Sequence, residues 1–350
     1  MNGMKMEFVL PDHRVAVVIL NWNGKAFLER FLAAVVRFSD GLARVVVVDN
    51  NSSDDSVAYL KEHHPEVEVI CNDENGGFAK GYNDGLRQVE ADYYVLLNSD
   101  VEVSQGWLEP MLNLMDNDAS VAACQPKILC WDAKDTFEYA GAAGGFMDAY
   151  GYPFCRGRIF DVLEKDAGQY DDACEIFWAT GACLMVRASL YHEFGGLDED
   201  FFAHMEEIDF CWRLKNAGHK LMVCPDSTVY HVGGGTLPKS SPHKTYLNFR
   251  NNLYLLVKNL PAERLWKVLV IRWFLDLLAS FRFLLSGKPG EAFAVWRAQW
   301  HFLGTLPRFM KKRRALVQAS VSGIYHGSLV LEHFLGRIDT FSKLKPEKWN

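Results

Sequence analysis

Several familiar sequence signatures are missing from this chain of 350 residues. No C-x-x-C pair occurs among its eight cysteines, which argues against a structural zinc site. It has no P-loop motif, and no G-x-G-x-x-G motif follows the first apolar run, so a nicotinamide dehydrogenase is disfavoured. That run, Val15–Leu20, is too short for the core of a signal peptide. All cysteines precede residue 225 without regular spacing, which is typical of reduced core thiols in a cytosolic protein.

Charge is divided unevenly along a chain whose 49% hydrophobic content predicts a globular core. The net charge of −7 argues against a general nucleic-acid-binding protein. Residues 1–240 hold 19 lysines and arginines against 38 acids, whereas residues 241–350 hold 18 against 6. An acidic part with a net charge of −19 thus precedes a basic part of +12. Such an asymmetry indicates an interaction surface.

Alternating strands and helices are predicted over the first hundred residues. β-branched runs precede segments with apolar residues at helical spacing, which favours a parallel sheet with helices on both faces. The predicted strands are 14–20, 44–48, 67–71 and 93–97. The predicted helices are 25–38, a second that runs to His64 from a cap at Ser52 or Ser53, and 78–89. Polar clusters follow these strands at residues 21–24, 49–53 and 98–100. Ligands bind such sheets at the carboxyl ends of the strands.

The middle of the chain has a different pattern. Residues 121–129, 137–145 and 174–186 are predicted to form longer strands that extend the sheet as a meander. A helix over 206–217 and a strand over 220–230 follow, and the glycines at 233–235 predict a flexible loop.

The basic, tryptophan-rich segment 243–350 is here called the tail. Its apolar run Leu265–Leu285 is long enough to span a bilayer, but lysine, arginine and aspartate side chains interrupt it, and charges at that depth are costly. Aromatic faces beside lysines and arginines are typical of helices that lie in a membrane interface. The tail is therefore predicted to bind an anionic membrane surface. The alternatives are a helical domain packed on residues 1–242 and a homodimer contact.

Polar residues that follow the predicted strands are candidates for metal and nucleotide binding. Asp100 ends the triplet Asn98-Ser99-Asp100, and a carboxylate there suits Mg²⁺ or Mn²⁺ shared with substrate phosphates, although the triplet is also a common turn. Asp49-Asn50 could hydrogen-bond a base or ribose, or could belong to a helix cap. In the segment NGGFAKGYN (75–83), backbone N–H groups at a helix start attract phosphate, and Lys80 adds charge.

Three carboxylates lie in one turn of the helix predicted over 206–217: Glu206, Glu207 and Asp209. Crowded acids repel one another, which raises a pKa and suits a general base. A solvated acidic helix start, favoured by the helix dipole, is the alternative. Further along, His231 ends a strand just before three glycines and is a candidate metal ligand.

In this order, the segments resemble family 2 glycosyltransferases of the GT-A fold, and in particular their rhamnosyltransferase-like branch. The matching stretches are VVILNWNG (17–24), VVVVDNNSSDDS (45–56), NGGFAKGYNDG (75–85), YYVLLNSDVEV (93–103), WATGACLMVRASLYHEFGGLDEDFFAHMEEIDFCWRLKNAG (178–218) and HVGGGT (231–236). The resemblance implies a Rossmann-like mixed α/β sheet with flanking helices over residues 1–242, followed by a C-terminal helical region over 243–350.

The implied activity is a metal-dependent, inverting transfer of a sugar from a nucleoside-diphosphate sugar to an acceptor hydroxyl. Rhamnose is the favoured sugar, and the favoured acceptor is a saccharide or lipid-linked saccharide of the cell envelope. Together with the tail, this predicts a cytoplasmic protein peripheral to the inner face of the cell membrane.

The resemblance also assigns roles to individual residues. The nucleoside diphosphate would contact Asn21, Trp22, Asp49, Asn50, Gly77, Lys80, Asn83, Asn98 and Ser99. A divalent cation, Mg²⁺ or Mn²⁺, would bind Asp100 and His231. The catalytic base would be Glu207, with Asp209 as its competitor. The acceptor would be bordered by Trp178, Thr180, Gly181, Ala182 and Glu206.

Two positions depart from the family pattern. Asn-Ser-Asp at 98–100 replaces Asp-x-Asp, so a weakly bound ion is expected, and Glu207 replaces the commoner aspartate. The first departure supports a second hypothesis, a catalytically inactive nucleotide-sugar-binding partner protein, but the intact acidic triplet favours an enzyme. A sugar nucleotidyltransferase would need a glycine-rich loop after the first strand, where this chain has residues 21–24 (NWNG).

Overall fold

The protein's structure is a computed structural model that describes residues 14–233 and 241–349. In chain order, its strands are β1 (Val15–Asn21), β2 (Ala43–Asp49), β3 (Glu68–Cys71), β4 (Tyr93–Asn98), β5 (Val101–Val103), β6 (Val121–Cys130), β7 (Gly145–Asp148), β8 (Pro153–Cys155), β9 (Arg158–Ile159), β10 (Val162–Leu163), β11 (Cys174–Glu175), β12 (Cys183–Arg187), β13 (Lys220–His231) and β14 (Ile324–Tyr325). Its α-helices are α1 (Lys25–Ser39), α2 (Ser56–His63), α3 (Gly77–Leu86), α4 (Glu109–Asn117), α5 (Ala188–Glu193), α6 (Glu206–Asn216), α7 (Pro242–Asn259), α8 (Ala262–Leu285), α9 (Pro289–Arg314) and α10 (Leu329–Phe334).

A nine-stranded mixed sheet forms the centre of the molecule, in the order β11-β13-β6-β12-β4-β1-β2-β3 with β5 paired to β13. The predicted β-α units are confirmed, since β3, β2, β1 and β4 pair in parallel. Parallel pairing brings the carboxyl ends of β1, β2 and β4 to one edge, and Asn21, Asp49 and Asn98 end these strands. The antiparallel strand β12 joins β4 to β6.

Two predicted strands and one predicted cap are wrong. Phe137 makes only an isolated bridge to Leu129, residues 139–143 form turns, and the chain enters a separate five-stranded sheet at β7, because Ala142 and Gly144 adopt positive φ angles of 42° and 105°. Residues 176–182 interrupt the strand predicted over 174–186, since Trp178 packs on Gly145 and donates its Nε1–H to the Phe146 carbonyl. The second helix begins at Ser56 rather than at a serine cap, because the Ser52 hydroxyl is engaged with Asn21 and Asn23.

The tail shares its hydrophobic core with the rest of the chain. One buried cluster contains sheet residues such as Val18 and Leu96 together with Leu256, Phe309 and Tyr325 of the tail. The tail also supplies β14, which pairs with β7 in the second sheet. The division at residue 242 stays a prediction, and the packing on both sides of it is continuous.

A buried lysine connects the tail to α6. Lys258 on α7 places its Nζ 2.6 Å from Asp198 Oδ2 and 2.6 Å from Asp209 Oδ2, and all three side chains are almost fully buried. Asp209 also pairs with Arg213 Nε at 2.9 Å and accepts a hydrogen bond from Asn259 Nδ2 at 2.8 Å. A buried carboxylate requires such partners, so this cluster holds α7 against α6.

None of the helices within 14–233 and 241–349 combines the length and the apolar character needed to cross a bilayer. The apolar run noted at 265–285 belongs to α8, where Arg272 and Asp276 form a buried ion pair at 3.1 Å.

We expect Lys258→Ala to lower the free energy of unfolding by ~3–5 kcal/mol, because it leaves Asp198 and Asp209 buried without their shared cation. Chemical or thermal unfolding measures the change. Lys288→Ala, an exposed lysine between α8 and α9, is the control and should change stability by no more than ~0.5 kcal/mol. Equal stability of the two variants would contradict the anchoring role of Lys258.

Candidate functional site

Polar side chains at the ends of β1 and β2 form a hydrogen-bonded cluster. Asn21 Nδ2 donates to Asp49 Oδ1 at 3.0 Å, and the backbone N–H of Ser52 donates to Asp49 Oδ2 at 2.9 Å. Asn50 Nδ2 donates to the Gly77 carbonyl at 3.0 Å, which links this edge to the start of α3. Trp22 stands beside the cluster with 42% of its surface exposed, so its ring can stack on a planar ligand.

The glycine-rich segment before α3 is shaped by a close backbone contact. Gly77 has a φ of 79°, and a Cβ at this position would lie 2.6 Å from the Phe202 carbonyl oxygen. The positive charge of Lys80 is shared with Asp84 and Glu74, which both form ion pairs with it. The predicted electrostatic contribution of Lys80 to phosphate binding is therefore partly neutralised within the protein.

Asn83 does not lie with the other predicted nucleotide ligands. Its amide donates to the Leu197 carbonyl at 2.8 Å, and its Oδ1 accepts from Tyr191 and from the Leu197 N–H. These bonds tie α3 to the Gly195–Leu197 turn, and the side chain is 7% exposed. The family-based prediction is corrected here, because the structure gives Asn83 a role within the fold.

The two predicted metal ligands meet at the edge of the sheet. His231 at the end of β13 places Nε2 3.1 Å from Asp100 Oδ1, and Asn98 Nδ2 lies 3.5 Å from the same nitrogen. On the other side of the ring, Nδ1 lies 3.4 Å from Oε1 of buried Glu138. Burial alone lowers the pKa of His231, but the carboxylates of Glu138 and Asp100 outweigh it and raise that pKa to about 10.

This donor set fits a divalent cation that is shared with a substrate. A carboxylate on one side of an imidazole orients its other nitrogen toward a metal, and Glu138 stands in that position. Across residues 14–233 and 241–349, no three His, Cys, Asp or Glu side chains form a ready-made metal cage. Oxygen ligands from a diphosphate would therefore have to complete the coordination. Carboxylate and diphosphate oxygens suit Mg²⁺ or Mn²⁺, and His231 would add a nitrogen ligand.

The acidic triplet of α6 divides into three different environments. Asp209 is fully buried and paired with Arg213 and Lys258, so its carboxylate does not face a ligand. Glu206 is also buried, and its Oε2 has no hydrogen-bond partner. Burial, reinforced by the neighbouring charge of Glu207, raises the pKa of Glu206 well above its usual range. The charged form of Glu206 is thus disfavoured.

Glu207 is the one carboxylate of the triplet that is partly exposed. Burial raises its pKa to about 7, although backbone hydrogen bonds act in the opposite direction. A carboxyl group with a pKa near the working pH is suited to general base catalysis. The structure therefore favours Glu207 over Asp209 as the proton acceptor.

Of the predicted acceptor residues, only some lie beside Glu207. A Cβ on Gly181 would lie 3.8 Å from Glu207 Cβ and 3.1 Å from Phe78, so the backbone here approaches Glu207 closely. The next carbonyl, of Ala182, accepts a hydrogen bond from the Asn98 N–H at 3.0 Å. Segment 181–182 thereby connects Glu207 to the strand end that carries Ser99 and Asp100.

Trp178 and Thr180 lie in the core. Trp178 is 3% exposed and donates to the Phe146 carbonyl, while the backbone N–H of Thr180 donates to Gln125 Oε1. These contacts give both residues a role within the fold, and their contact with the acceptor stays a prediction.

Two polar residues of this region were not found from the sequence. Glu138 lies in the segment taken for a strand, and nothing in the local pattern distinguishes it. Asn251 of α7 donates to backbone carbonyls immediately before α6, from within the tail. Only the run of polar residues at 250–252, between Phe249 and Leu253, could have signalled it. The glycines at 234 and 235 lie outside the described residues.

Comparisons with known proteins were made for the whole chain. A family model described as glycosyl transferase family 2 matches residues 16–193, just over half of the chain. N-acetylglucosaminyl-diphospho-decaprenol L-rhamnosyltransferase from Mycobacterium tuberculosis is 25% identical over 240 residues, which cover 65% of this chain and 76% of that protein. The dTDP-rhamnosyl transferase RfbF from Shigella flexneri is 24% identical over 265 residues, covering 71% and 81%.

The fold has solved counterparts. The crystal structure of GalNAc-T7 with UDP, GalNAc and Mn²⁺ has a TM-score of 0.56 and 17% identity, covering 72% of this chain and 49% of that chain. This likeness, the mixed sheet and the family match confirm the GT-A fold expected from the sequence. The chain therefore belongs to glycosyl transferase family 2.

Proposed function

We propose that this glycosyltransferase is an inverting enzyme in which Glu207 is the catalytic base. The observation that carries the proposal is the environment of Glu207, partly exposed and with a pKa of about 7, beside the backbone of Gly181. Glu207 would take the proton of an acceptor hydroxyl. At the same time the oxygen of that hydroxyl would form a bond to the anomeric carbon of the donor sugar, and the bond from this carbon to the diphosphate would break. A single displacement of this kind inverts the anomeric configuration.

The donor would bind along the carboxyl edge of the parallel strands. Trp22 and the cluster of Asn21, Asp49 and Asn50 would hold the nucleoside, and Asn98 and Ser99 would lie near the diphosphate. A divalent cation held by Asp100 and His231 would neutralise charge on the leaving diphosphate. The bound Mn²⁺ of GalNAc-T7 and the donor set present here support a metal-dependent reaction.

We infer rhamnose as the transferred sugar and a lipid-linked saccharide as the acceptor. The names of the relatives from M. tuberculosis and S. flexneri support rhamnose, and the decaprenol of the first name supports a lipid carrier. A nucleotide-sugar-binding protein without activity is disfavoured. The raised pKa of Glu207, which lies beside the backbone of Gly181, is typical of a catalytic group and is not needed for binding alone.

The outer surface of the tail supports a location at the membrane. On α8, large apolar side chains are half-exposed or more along one stripe at intervals of three or four residues, namely Trp266, Val270, Trp273, Phe274, Leu278, Phe281 and Leu285. On α9 the corresponding side chains are Phe293, Trp296, Trp300 and Leu303. Trp296 Nε1 donates to Ser280 Oγ on α8, so the two helices are direct neighbours. We call these side chains the apolar face.

Charge favours an anionic lipid leaflet over a second copy of the chain as the partner of the apolar face. Within α8 and α9, which are described from end to end, the exposed cations are Lys267, Arg282, Arg297, Arg308, Lys311 and Arg314. The only exposed acid of these two helices is Glu263. A two-fold contact would oppose like charges, whereas acidic headgroups would pair with them. We therefore propose a peripheral location at the inner face of the cell membrane.

Glu207→Gln should reduce kcat by at least ~100-fold, because glutamine keeps the shape of the side chain and cannot accept the proton. For the unaltered enzyme, kcat should fall about tenfold per pH unit below pH 7, where Glu207 becomes protonated, and should level off above it. Transfer assays with dTDP-rhamnose and other nucleotide sugars test both points. Full activity of Glu207→Gln would exclude it as the base.

Glu138→Gln should weaken Mn²⁺ binding by ~10–100-fold in the presence of a nucleoside diphosphate, because His231 loses the carboxylate that orients its ring. Titration with Mn²⁺, followed by electron paramagnetic resonance, measures this directly and does not depend on turnover. Glu164→Gln, a carboxylate that contacts Tyr170 in another part of the fold, is the control. Unchanged Mn²⁺ affinity in Glu138→Gln would remove Glu138 from the metal site.

We expect the full-length protein to sediment with vesicles that contain phosphatidylglycerol and much less with pure phosphatidylcholine. The double variant Trp273→Ser/Trp300→Ser should reduce binding by at least ~10-fold, since each burial of a large apolar side chain contributes ~1.5–3 kcal/mol. Val162→Ser, an exposed apolar position of the second sheet, is the control. If the protein does not bind anionic vesicles and forms a dimer through the same tryptophans, the result would favour a contact between subunits over a membrane contact.

A further inference from the structure

The turn that leads into α6 has an unusual backbone. Phe202, His204 and Met205 have φ angles of 66°, 70° and 73°, a region that residues other than glycine seldom adopt. Each such residue costs ~1–2 kcal/mol. A strained turn of this kind persists only where its surroundings hold it. Glu206 and Glu207 follow it directly, so its conformation decides where their side chains point.

One side chain of the tail donates hydrogen bonds to backbone carbonyl groups at this turn. Asn251 Nδ2 lies 2.9 Å from the oxygen of Phe201, 2.9 Å from that of Ala203 and 2.8 Å from that of His204. Its Oδ1 accepts a hydrogen bond from Arg250 Nε at 2.9 Å. Asn251 is completely buried, so no water can replace these bonds. Because an amide nitrogen carries two hydrogens, the three oxygens share them.

The opposite side of the turn is held by the glycine-rich segment before α3. The carbonyl of Phe202 accepts a hydrogen bond from the Phe78 N–H at 2.8 Å. Gly77 makes this approach possible, since a side chain there would collide with Phe202. The turn is therefore fixed between the start of α3 and the middle of α7, and α6 begins where it ends.

We propose that Asn251 is a positioning residue for sugar transfer, which directs the carboxylate of Glu207 toward the acceptor by holding the turn at residues 202–205. The inference rests on the proposed role of Glu207 and adds to it a residue that never touches the substrate. Without the amide, the carbonyls of Ala203 and His204 lose this donor, while the carbonyl of Phe201 keeps its hydrogen bond from Arg250 Nη2 at 3.0 Å, and the left-handed residues can relax. A displacement of about 1 Å at a reacting group lowers the rate by about 100-fold.

The charged and titratable groups around Glu207 determine its pKa, which the kcat–pH profile reports. Glu206 lies beside it on α6, and Cys211 follows on the same helix. His204 on the turn is neutral, because burial and the nearby Lys244 and His243 of α7 lower its pKa to about 4. None of these groups changes in an Asn251 variant. A relaxed turn would admit water to Glu207, whose pKa would then fall toward the ordinary value of ~4.3.

The test compares two adjacent asparagines of α7. Asn252 is also buried, but its Nδ2 donates to the Gly151 carbonyl at 2.6 Å, away from the turn. Asn251→Ala should lower kcat by ~10–100-fold and move the acid limb of the kcat–pH profile at least one pH unit lower. Asn252→Ala removes the same atoms from the same helix and should leave that limb in place. Thermal unfolding of both variants reports the purely structural cost.

Each outcome decides the matter. If Asn251→Ala and Asn252→Ala have the same pH profile and similar kcat, the positioning role is wrong. If Asn251→Ala does not fold, Asn251→Ser, which offers one hydroxyl hydrogen in place of the two amide hydrogens, is measured with the same expected direction. Glu207→Gln is assayed in parallel. Full activity of that variant refutes the proposed base, whereas an inactive Glu207→Gln with an unshifted Asn251→Ala profile refutes only the positioning role.

Discussion

The structure depends on how three neighbouring carboxylates are accommodated in a largely buried first turn of α6. They cannot all be charged there without partners, because the interior solvates ions poorly. Asp209 is matched by Arg213, Lys258 and Asn259, burial raises the pKa of Glu206 well above its usual range, and Glu207 alone is partly exposed. One helical turn therefore holds an anchor, an acid with a strongly raised pKa and a candidate base. The different environments, rather than the residue types, separate these roles.

The contacts of Asp209 connect the tail to the start of α6. Lys258 of α7 forms an ion pair with Asp209, Asn259 donates a hydrogen bond to it, and Asn251 of the same helix donates to the strained turn before Glu206. The helices that continue from α7 carry the apolar face. A chain region whose composition first indicates a membrane contact thus also contributes buried groups to the site. Packing and chemistry are continuous across residue 242, where composition changes.

Local sequence patterns predict most of the sheet. β-branched runs such as residues 44–48 and helical spacing in 25–38 are strong signals, and β1, β2, β4 and α1 lie within a residue or two of the predicted bounds. The same reasoning is wrong at 137–145, because positive φ angles at Ala142 and Gly144 turn the chain into a second sheet. Such angles depend on distant packing, which a local pattern does not contain.

By itself, the sequence determined the family, the parallel strand ends and the short set of residues among which the site lies, since these follow from periodicity and from motifs that are contiguous in the chain. Only the tertiary structure decided among them. It distinguished the partly exposed Glu207 from the buried Asp209, and it showed that Trp178 and Asn83 are packed within the fold. It also revealed Glu138 beside His231 and Asn251 beside the turn before α6. The reason is physical. Burial and the partners of a polar group set its charge and its reach, and both are supplied by residues far away in the chain.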